Sequence, residues 1–329
     1  MLSFKSFEAD LSQVNDGNFD HIALKLFRFQ AEHNLIYKKY LTYLGVNPKV
    51  IDSVNMIPFL PITFFKDNTV VTGDWKEEHT FLSSATSGQN QSRHLVYSLE
   101  HYLHNAERIF EQFYGPISNY HFFALLPSYL ERQGSSLIAM VDYFIRRSQS
   151  PYSAFYLNSS KEFLDRLDAL RRDKKKVLVL GVTFALLDLA EKMELDLGHC
   201  LVMETGGMKG RRKEITRDEL HSFLSNRFNI KNVHSEYGMT ELFSQAYAQT
   251  MGYFKCPAGM KVLIRDLNDP FCELVVDKVG GINVIDLSNI HTCAFVETQD
   301  LGKVRQDGSF EVLGRIDNSD IRGCNLLVG

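Results

Sequence analysis

The sequence predicts an α/β protein: a large, mostly parallel βαβ sheet domain over residues 1–254 that opens with a helical segment, then a smaller β-rich subdomain over residues 255–329. Short apolar runs alternate with helical patterns about ten to fifteen residues long, and crossovers of that length join parallel strands rather than hairpins. After residue 255 the helical patterns stop and short strands separated by turn signals take over. A length of 329 residues is also long for one compact core, so one large body with an appendage is expected.

Over residues 18–45, apolar side chains at helical spacing (Ile22, Leu26, Phe29, then Leu35, Tyr40, Leu44) end at Gly45 and predict the opening helical segment. MIPFLPITFFK carries Pro58 and Pro61, which cannot continue a helix, so it reads as an extended connector. HTFLS and HLVYS read as strands on either side of a polar turn, and a helix starts near Leu99 with Ser98 as its N-cap. HFFALL is a buried strand, residues 135–147 a helix, and residues 161–172 an amphipathic helix with Phe163, Leu164, Leu167 and Leu170 on one face. VLVLGV and CLVMET are strands with a helix over 184–192 between them. A helix over 217–228 leads to NVHSEYG, a strand running into a turn. KVLIRDLNDP, FCELVVDKVGGINVIDL and CAFVETQDLGKVRQDGSFEVLGR supply the mainly antiparallel C-terminal part, and no internal repeat or low-complexity tract interrupts the chain.

A composition of 44% hydrophobic and 23% charged residues is that of an ordinary soluble globular protein. A formal charge of -4 gives no electrostatic reason to expect nucleic acid or an anionic membrane as partner, which leaves small-molecule chemistry. MLSFKSFEADLSQ lacks the unbroken apolar stretch of a signal peptide, and no window approaches the roughly eighteen apolar residues of a membrane span. A cytoplasmic chain is therefore expected. Cys200, Cys256, Cys272, Cys293 and Cys324 are odd in number, scattered and never in a CxxC pair, which argues against a disulfide framework and a zinc site. RRDKKK at 171–176 reads as a solvated helix end, and Arg211, Arg212 and Lys213 as a charged surface loop. His101 and His104 lack the HExxH pattern and read as solvent-facing. Ser128, Ser135 and Ser136 lack the GxSxG of a hydrolase nucleophile.

The turn itself, SSATSGQNQSR at 83–93, has no GxxxxGK[ST] pattern and is not followed at once by a helix. It is rich in OH and NH donors on small residues that leave the backbone accessible, so it can wrap a polyphosphate; the same residues also make an ordinary hairpin turn. HSEYGMTE at 234–241, TQDLG at 298–302 and GRIDNSDIRG at 314–323 follow it in order. Together the segments resemble those of the ANL superfamily of adenylate-forming enzymes, which includes acyl-CoA synthetases, peptide-synthetase adenylation domains and luciferases. Within it the sequence is most similar to the short acyl-protein synthetases (long-chain-fatty-acid luciferin-component ligases), the fatty-acid activating subunits of the bacterial bioluminescence reductase complex. Phenylacetate-CoA ligases are more distant. The resemblance runs from about residue 55 to the end, and YGMTE and the DLG…GR pair are its most specific elements.

The resemblance implies the N-terminal-domain fold of that superfamily and a site for ATP with Mg²⁺. Ser83, Ser84, Ala85, Thr86, Ser87 and Gly88 occupy the places of the family's SSGTTG loop, which binds the triphosphate and helps pyrophosphate leave. Ala85 replaces a glycine, and the lysine often found after the loop is absent, with Arg93 the nearest cation. Glu236, Tyr237 and Gly238 fall in the ATP site, with Tyr237 stacking on adenine; Thr240 contacts the phosphates and Glu241 holds the Mg²⁺ that bridges them. A carboxylate suits that role as a hard oxygen ligand, though Tyr237 also reads as core packing and Thr240-Glu241 as a helix start. Gly206 and Gly207 of METGGMK flank the adenine. Asp300 accepts from the ribose hydroxyls and Arg315 serves the ribose and phosphates, with TQD standing where the family has TGD. Tyr129 in FFALLPSYLERQG lies against the acyl pocket or simply packs.

The implied reaction is activation of a carboxylic, and more specifically a fatty, acid as acyl-adenylate, with ATP converted to AMP plus pyrophosphate and the acyl group passed to a thiol. Thr240, Glu241, Arg315 and Cys324 are the catalytic candidates. Superfamily members continue past the GRxD hinge into a lid domain whose lysine assists adenylation; here a truncated hinge and a missing lid are expected. The short acyl-protein synthetases pass the acyl group to their own cysteine near the C-terminus, the neighbourhood of Cys324 in IRGCNLLVG, where Arg322 would favour the thiolate. A cysteine in an apolar tail equally reads as packing. Coenzyme A, an acyl carrier protein or a reductase partner are the alternative acceptors. From another class, Ala85 and the missing lid lysine fit a non-catalytic acyl- or nucleotide-binding subunit of a larger complex.

Overall fold

The structure, a computed structural model, describes residues 3–83, 91–126, 134–156, 161–206, 215–269, 271–272 and 274–316. It divides into two units: Met1–Thr80 with Ser84–Tyr97 and Cys256–Gly329, and Phe81–Ser83 with Ser98–Lys255.

The first unit begins with helices α1 (Phe4–Ser12), α2 (Phe19–His33) and α3 (Leu35–Tyr43), then the short strand β1 (Leu60–Pro61) and helix α4 (Phe64–Asp67). Strands β2 (His79–Leu82) and β3 (Arg93–Val96) pair with each other on either side of the polar turn. The single helical segment expected over 18–45 is broken at Asn34. That residue leaves the helical region at φ -98° and ψ 108°, and its side chain accepts from Tyr37 N to start α3. Its amide also donates to Thr292 O at 2.9 Å, so a contact distant in sequence fixes the break. Helix α1 lies outside the sequence expectation.

Residues 260–316 of this unit form β10 (Met260–Arg265), β11 (Gly280–Asp286), β12 (Phe295–Val304) and β13 (Phe310–Arg315), an antiparallel run as the turn-rich sequence predicts, with β1 added parallel to β12. The N-terminal segment packs on this sheet. Phe27 and Phe59 meet the Phe295 ring at 5.8 and 6.3 Å. The buried Gln30 amide donates to Asn289 O and accepts from Ala294 N, both at 2.9 Å, clamping the β11–β12 connection.

The second unit holds a six-stranded sheet in the order β5-β4-β6-β7-β8-β9, made of β4 (Tyr120–Leu125), β5 (Ala154–Phe155), β6 (Lys176–Val182), β7 (Cys200–Thr205), β8 (Val233–Tyr237) and β9 (Ala246–Ala248). The first five are parallel and β9 is antiparallel to β8. β4 is buried along its whole length, which is why HFFALL reads as a continuous apolar run rather than an alternating one. Helices α5 (Leu99–Tyr114), α6 (Ser136–Arg147), α7 (Lys161–Ala169), α8 (Thr183–Lys192) and α9 (Arg217–Phe228) belong to the same unit. Leu186 and Leu187 of α8, Leu224 and Phe228 of α9, and Phe163 of α7 share one core with Val179 and Val202 of the sheet. Gly181 ends that contact closely: a Cβ there would stand 2.8 Å from the Leu186 side chain. Among the described residues no helix is long and apolar enough to cross a membrane.

Candidate active site

In the second unit the segments around 203–206 and 234–241 end the neighbouring parallel strands β7 and β8, with Thr205 in register with Glu236. Loops at the carboxyl ends of parallel strands lie clear of the helices that cover the sheet faces, and ligands of open α/β sheets bind there. Glu236 is buried and its carboxylate accepts the Thr205 hydroxyl. Tyr237 closes β8 with its ring 5.8 Å from that of Phe254. Gly238 follows, exposed, and a Cβ there would run into the Glu236 carboxylate, so any larger residue requires that side chain to shift. Thr240 is half-buried and Glu241 buried in the turn beyond. Gly206, exposed at φ +79°, leaves β7 alongside.

The turn that carries Glu241 is pinned from α5. Asn105 Nδ2 donates to Phe243 O at 3.0 Å, and Arg108 donates to Asn105 Oδ1 at 2.8 Å. His101 of the same helix is half-buried near the Phe243 ring, with centroids 6.5 Å apart, whereas His104 is exposed, so only one of the pair faces solvent as expected. His234, on β8, has its pKa lowered to about 4 by burial and then by the charge of His221; it packs as a neutral ring with Nδ1 3.2 Å from the Tyr114 hydroxyl.

Beneath the strand ends lies a group that the sequence does not advertise. Glu204, 2% exposed on β7, accepts from Thr183 Oγ1 at 3.0 Å and stands 3.3 Å from Arg217 Nε and 3.7 Å from His221 Nε2. Burial alone would raise the Glu204 pKa; the Arg217 guanidinium, with the nearby His221 and Ser235 side chains, overrides it and holds the carboxyl at about 2. A folded-state pKa below the unfolded one stabilises the protein fully above the unfolded value, about 4.5, and that contribution is lost as pH falls toward about 2. Chemical denaturation at pH 6 and pH 3 should show the parent losing about 2 kcal/mol more than Glu204→Gln across that interval. Equal losses in both proteins would remove Glu204 as the cause.

In the first unit Asp300 and Arg315 are register partners on β12 and β13, with Arg315 Nε 3.7 Å from Asp300 Oδ1. The Asp300 side chain is 15% exposed and that of Arg315 72%, so the carboxylate is held and the cation reaches outward. Thr298 fixes the approach to Asp300 by accepting from its backbone NH at 3.1 Å while donating to Ile282 O at 2.8 Å. Arg265, which sequence reasoning missed, ties three strands together below: its guanidinium donates to Ile282 O at 2.9 Å, Asn283 Oδ1 at 3.0 Å and Thr298 O at 2.8 Å. The Gly280-Gly281 pair is the sequence signal for it. A Cβ at Gly281 would enter the space of this guanidinium, and one at Gly280 would meet the Arg265 carbonyl.

Of the remaining sequence candidates, Ser83 directly follows β2, while Ser84, Thr86, Ser87, Gly88, Tyr129, Gly207 and Cys324 lie outside the described residues, as does Ala85. No group of three or more His, Cys, Asp or Glu side chains suited to a metal ion gathers among the described residues.

No protein-family model matches the chain, and no curated protein matches its sequence. Solved structures do match. ATP-bound MatB from Rhodopseudomonas palustris superposes with a TM-score of 0.52 at 18% identity, over 72% of this chain and 47% of that one. A 2-hydroxyisobutyryl-CoA ligase in complex with 2-HIB-AMP and CoA in the thioesterification state gives a TM-score of 0.67 at 13% identity, over 92% of this chain and 69% of that one. Its open conformation gives 0.66 at 13% identity, over 93% and 72%. The chain thus spans about half the length of the MatB structure it matches. It has the α/β fold of these proteins.

Proposed function

We propose that this chain is an adenylate-forming ligase that joins a carboxylic acid, in the finer reading a fatty acid, to ATP and hands the acyl group to a thiol. The observation that carries this is the departure of Glu236, Tyr237, Gly238, Thr240 and Glu241 from the carboxyl end of an interior parallel strand, on a fold shared with a CoA ligase solved with 2-HIB-AMP and CoA. Tyr237 offers a ring for adenine, Gly206 and Gly207 allow close approach, and Asp300, an acceptor-only group, suits the ribose diol. Ser83, Ser84, Thr86, Ser87 and Gly88 hold the triphosphate, and Thr240 contacts the phosphates.

A single hard carboxylate at Glu241 fits Mg²⁺, which commonly takes one carboxylate together with substrate phosphates. When bound, the ion neutralises charge on the departing pyrophosphate. The substrate carboxylate oxygen attacks the α-phosphorus, forming a P–O bond as the bond to pyrophosphate breaks, and the outward-reaching Arg315 steadies the negative charge of both partners. A thiolate then attacks the acyl carbonyl, forms the C–S bond and expels AMP. No protein side chain has to act as a strong base.

Three of the chain's own thiols are unsuited to that second step. Burial pushes Cys200, Cys256 and Cys293 up to about 12, where the nucleophilic thiolate is scarce. Cys324 is the intramolecular acceptor in the acyl-protein synthetase reading, with Tyr129 against the acyl chain. Coenzyme A is the acceptor in the second reading, favoured by the CoA held in the 2-hydroxyisobutyryl-CoA ligase structure. ATP–pyrophosphate exchange with a panel of fatty and aromatic acids tests the first step, and exchange with at least one acid is expected. Silence with every acid favours a binding subunit instead. Cys324→Ser then separates the acceptors, since it abolishes protein acylation but spares CoA-dependent turnover.

A further inference from the structure

Glu204 is joined to Tyr237 by a line of contacts that none of the steps above uses. Arg217, the first residue of α9, pairs with Glu204 through Nε and lays its guanidinium carbon 4.8 Å from the centre of the Phe254 ring. Phe254 is fully buried, and its other contact in this line is the Tyr237 ring, tilted at 59° to it. The Arg217 stem passes Gly252 so closely that a Cβ there would stand 2.7 Å from Cδ, and Gly252 sits at φ +67°, where a side chain is strained in any case. The guanidinium is therefore gripped by a carboxylate at its edge, a ring on its face and a glycine along its stem. An ammonium group would keep the charge pairing but lose the flat stacking surface.

We propose that Arg217 is a positioning residue for the nucleotide platform, setting the plane of the Tyr237 ring through Phe254 while Glu204 sets Arg217. The functional consequence rests on Tyr237 being the adenine partner. Arg217→Lys retains a cation for Glu204, so its melting temperature and its KM for the acid are expected to match the parent, whereas KM for ATP rises about tenfold, equivalent to about 1.4 kcal/mol. Phe254→Leu, which removes the ring between them, is expected to give the same selective rise.

Fluorotyrosine labelling followed by fluorine NMR reads the ring directly. The Tyr237 resonance, assigned by its disappearance in Tyr237→Phe, is expected to shift in both variants. An unchanged resonance in both variants, or a KM for ATP that stays at the parent value in an active protein, overturns the proposal. A parent that exchanges no pyrophosphate sinks the ligase reading alone, because the fluorine signal still decides whether Arg217 sets the ring.

Discussion

Glu241→Gln is expected to lower magnesium-dependent ATP–pyrophosphate exchange about a hundred- to a thousandfold, the loss typical of removing one charge-stabilising group from a preorganised site. Glutamine has the volume and shape of glutamate, which matters because Glu241 is only 5% exposed and a smaller side chain would leave a cavity. What changes is the charge: a neutral amide oxygen binds a hard divalent cation far less well than a carboxylate does. The backbone nearby is fixed independently by the Asn105 bond to Phe243 O, so the turn has no reason to move. Glu100→Gln, at a side chain 79% exposed on α5, is the matched control and should leave the rate unchanged. A Glu241→Gln protein that exchanges at the parent rate would show that the metal is held elsewhere.

Arg265→Ala is expected to cost about 3–5 kcal/mol of stability, the usual penalty for removing one partner from a buried charge network. Arg265 is 6% exposed, and burial lowers its pKa against the opposing pull of Glu297 and Asp300. Its removal takes a donor from the Ile282 and Thr298 carbonyls and from Asn283 Oδ1, and leaves Glu297, 3.5 Å away, without its cation. Glu297 already has its pKa raised by burial, with Arg265 the group that lowers it, so losing the guanidinium would push it up further. Denaturant unfolding checks the magnitude. Lys303→Ala, at a half-buried ion pair with Glu311 on β12, should fall within about 0.5 kcal/mol of the parent. A loss below about 1 kcal/mol for Arg265→Ala would mean that the three strands do not depend on this guanidinium.

How far the sequence could be read follows from how local each cause is. Helix α9 matches the sequence expectation of 217–228 because its limits are set within a few residues. Thr216 and Glu219 form a capping box at one end, and Asn229 turns left-handed at φ 49° at the other. VLVLGV and CLVMET read as strands because burial on both faces leaves an unbroken apolar run. Asn34 was not legible as a break, since its second partner is Thr292. Nor were β5 and β9, whose two and three residues are strands only through their neighbours.

The site divides the same way. Tyr237 and Glu241 were marked by a contiguous segment, and the structure adds that it ends a parallel strand. The Glu204, Arg217 and His221 group was invisible because it joins a strand to a helix, and no spacing rule links the two. Arg265 was hidden for the same reason, since its acceptors lie on two other strands. The N-terminal helices packed on the β-rich sheet illustrate the general point: apolar periodicity shows that a face is buried, but not which surface covers it.

Tyr237 at the end of β8 is proposed to hold the adenine of a bound nucleotide. Calorimetric titration of the chain with ATP and magnesium tests it most directly. One saturable site is predicted, weakened at least about tenfold by Tyr237→Ala, which removes one specific contact to the ligand. Absence of any binding heat across a range of temperatures, or binding that survives the substitution unchanged, would contradict it.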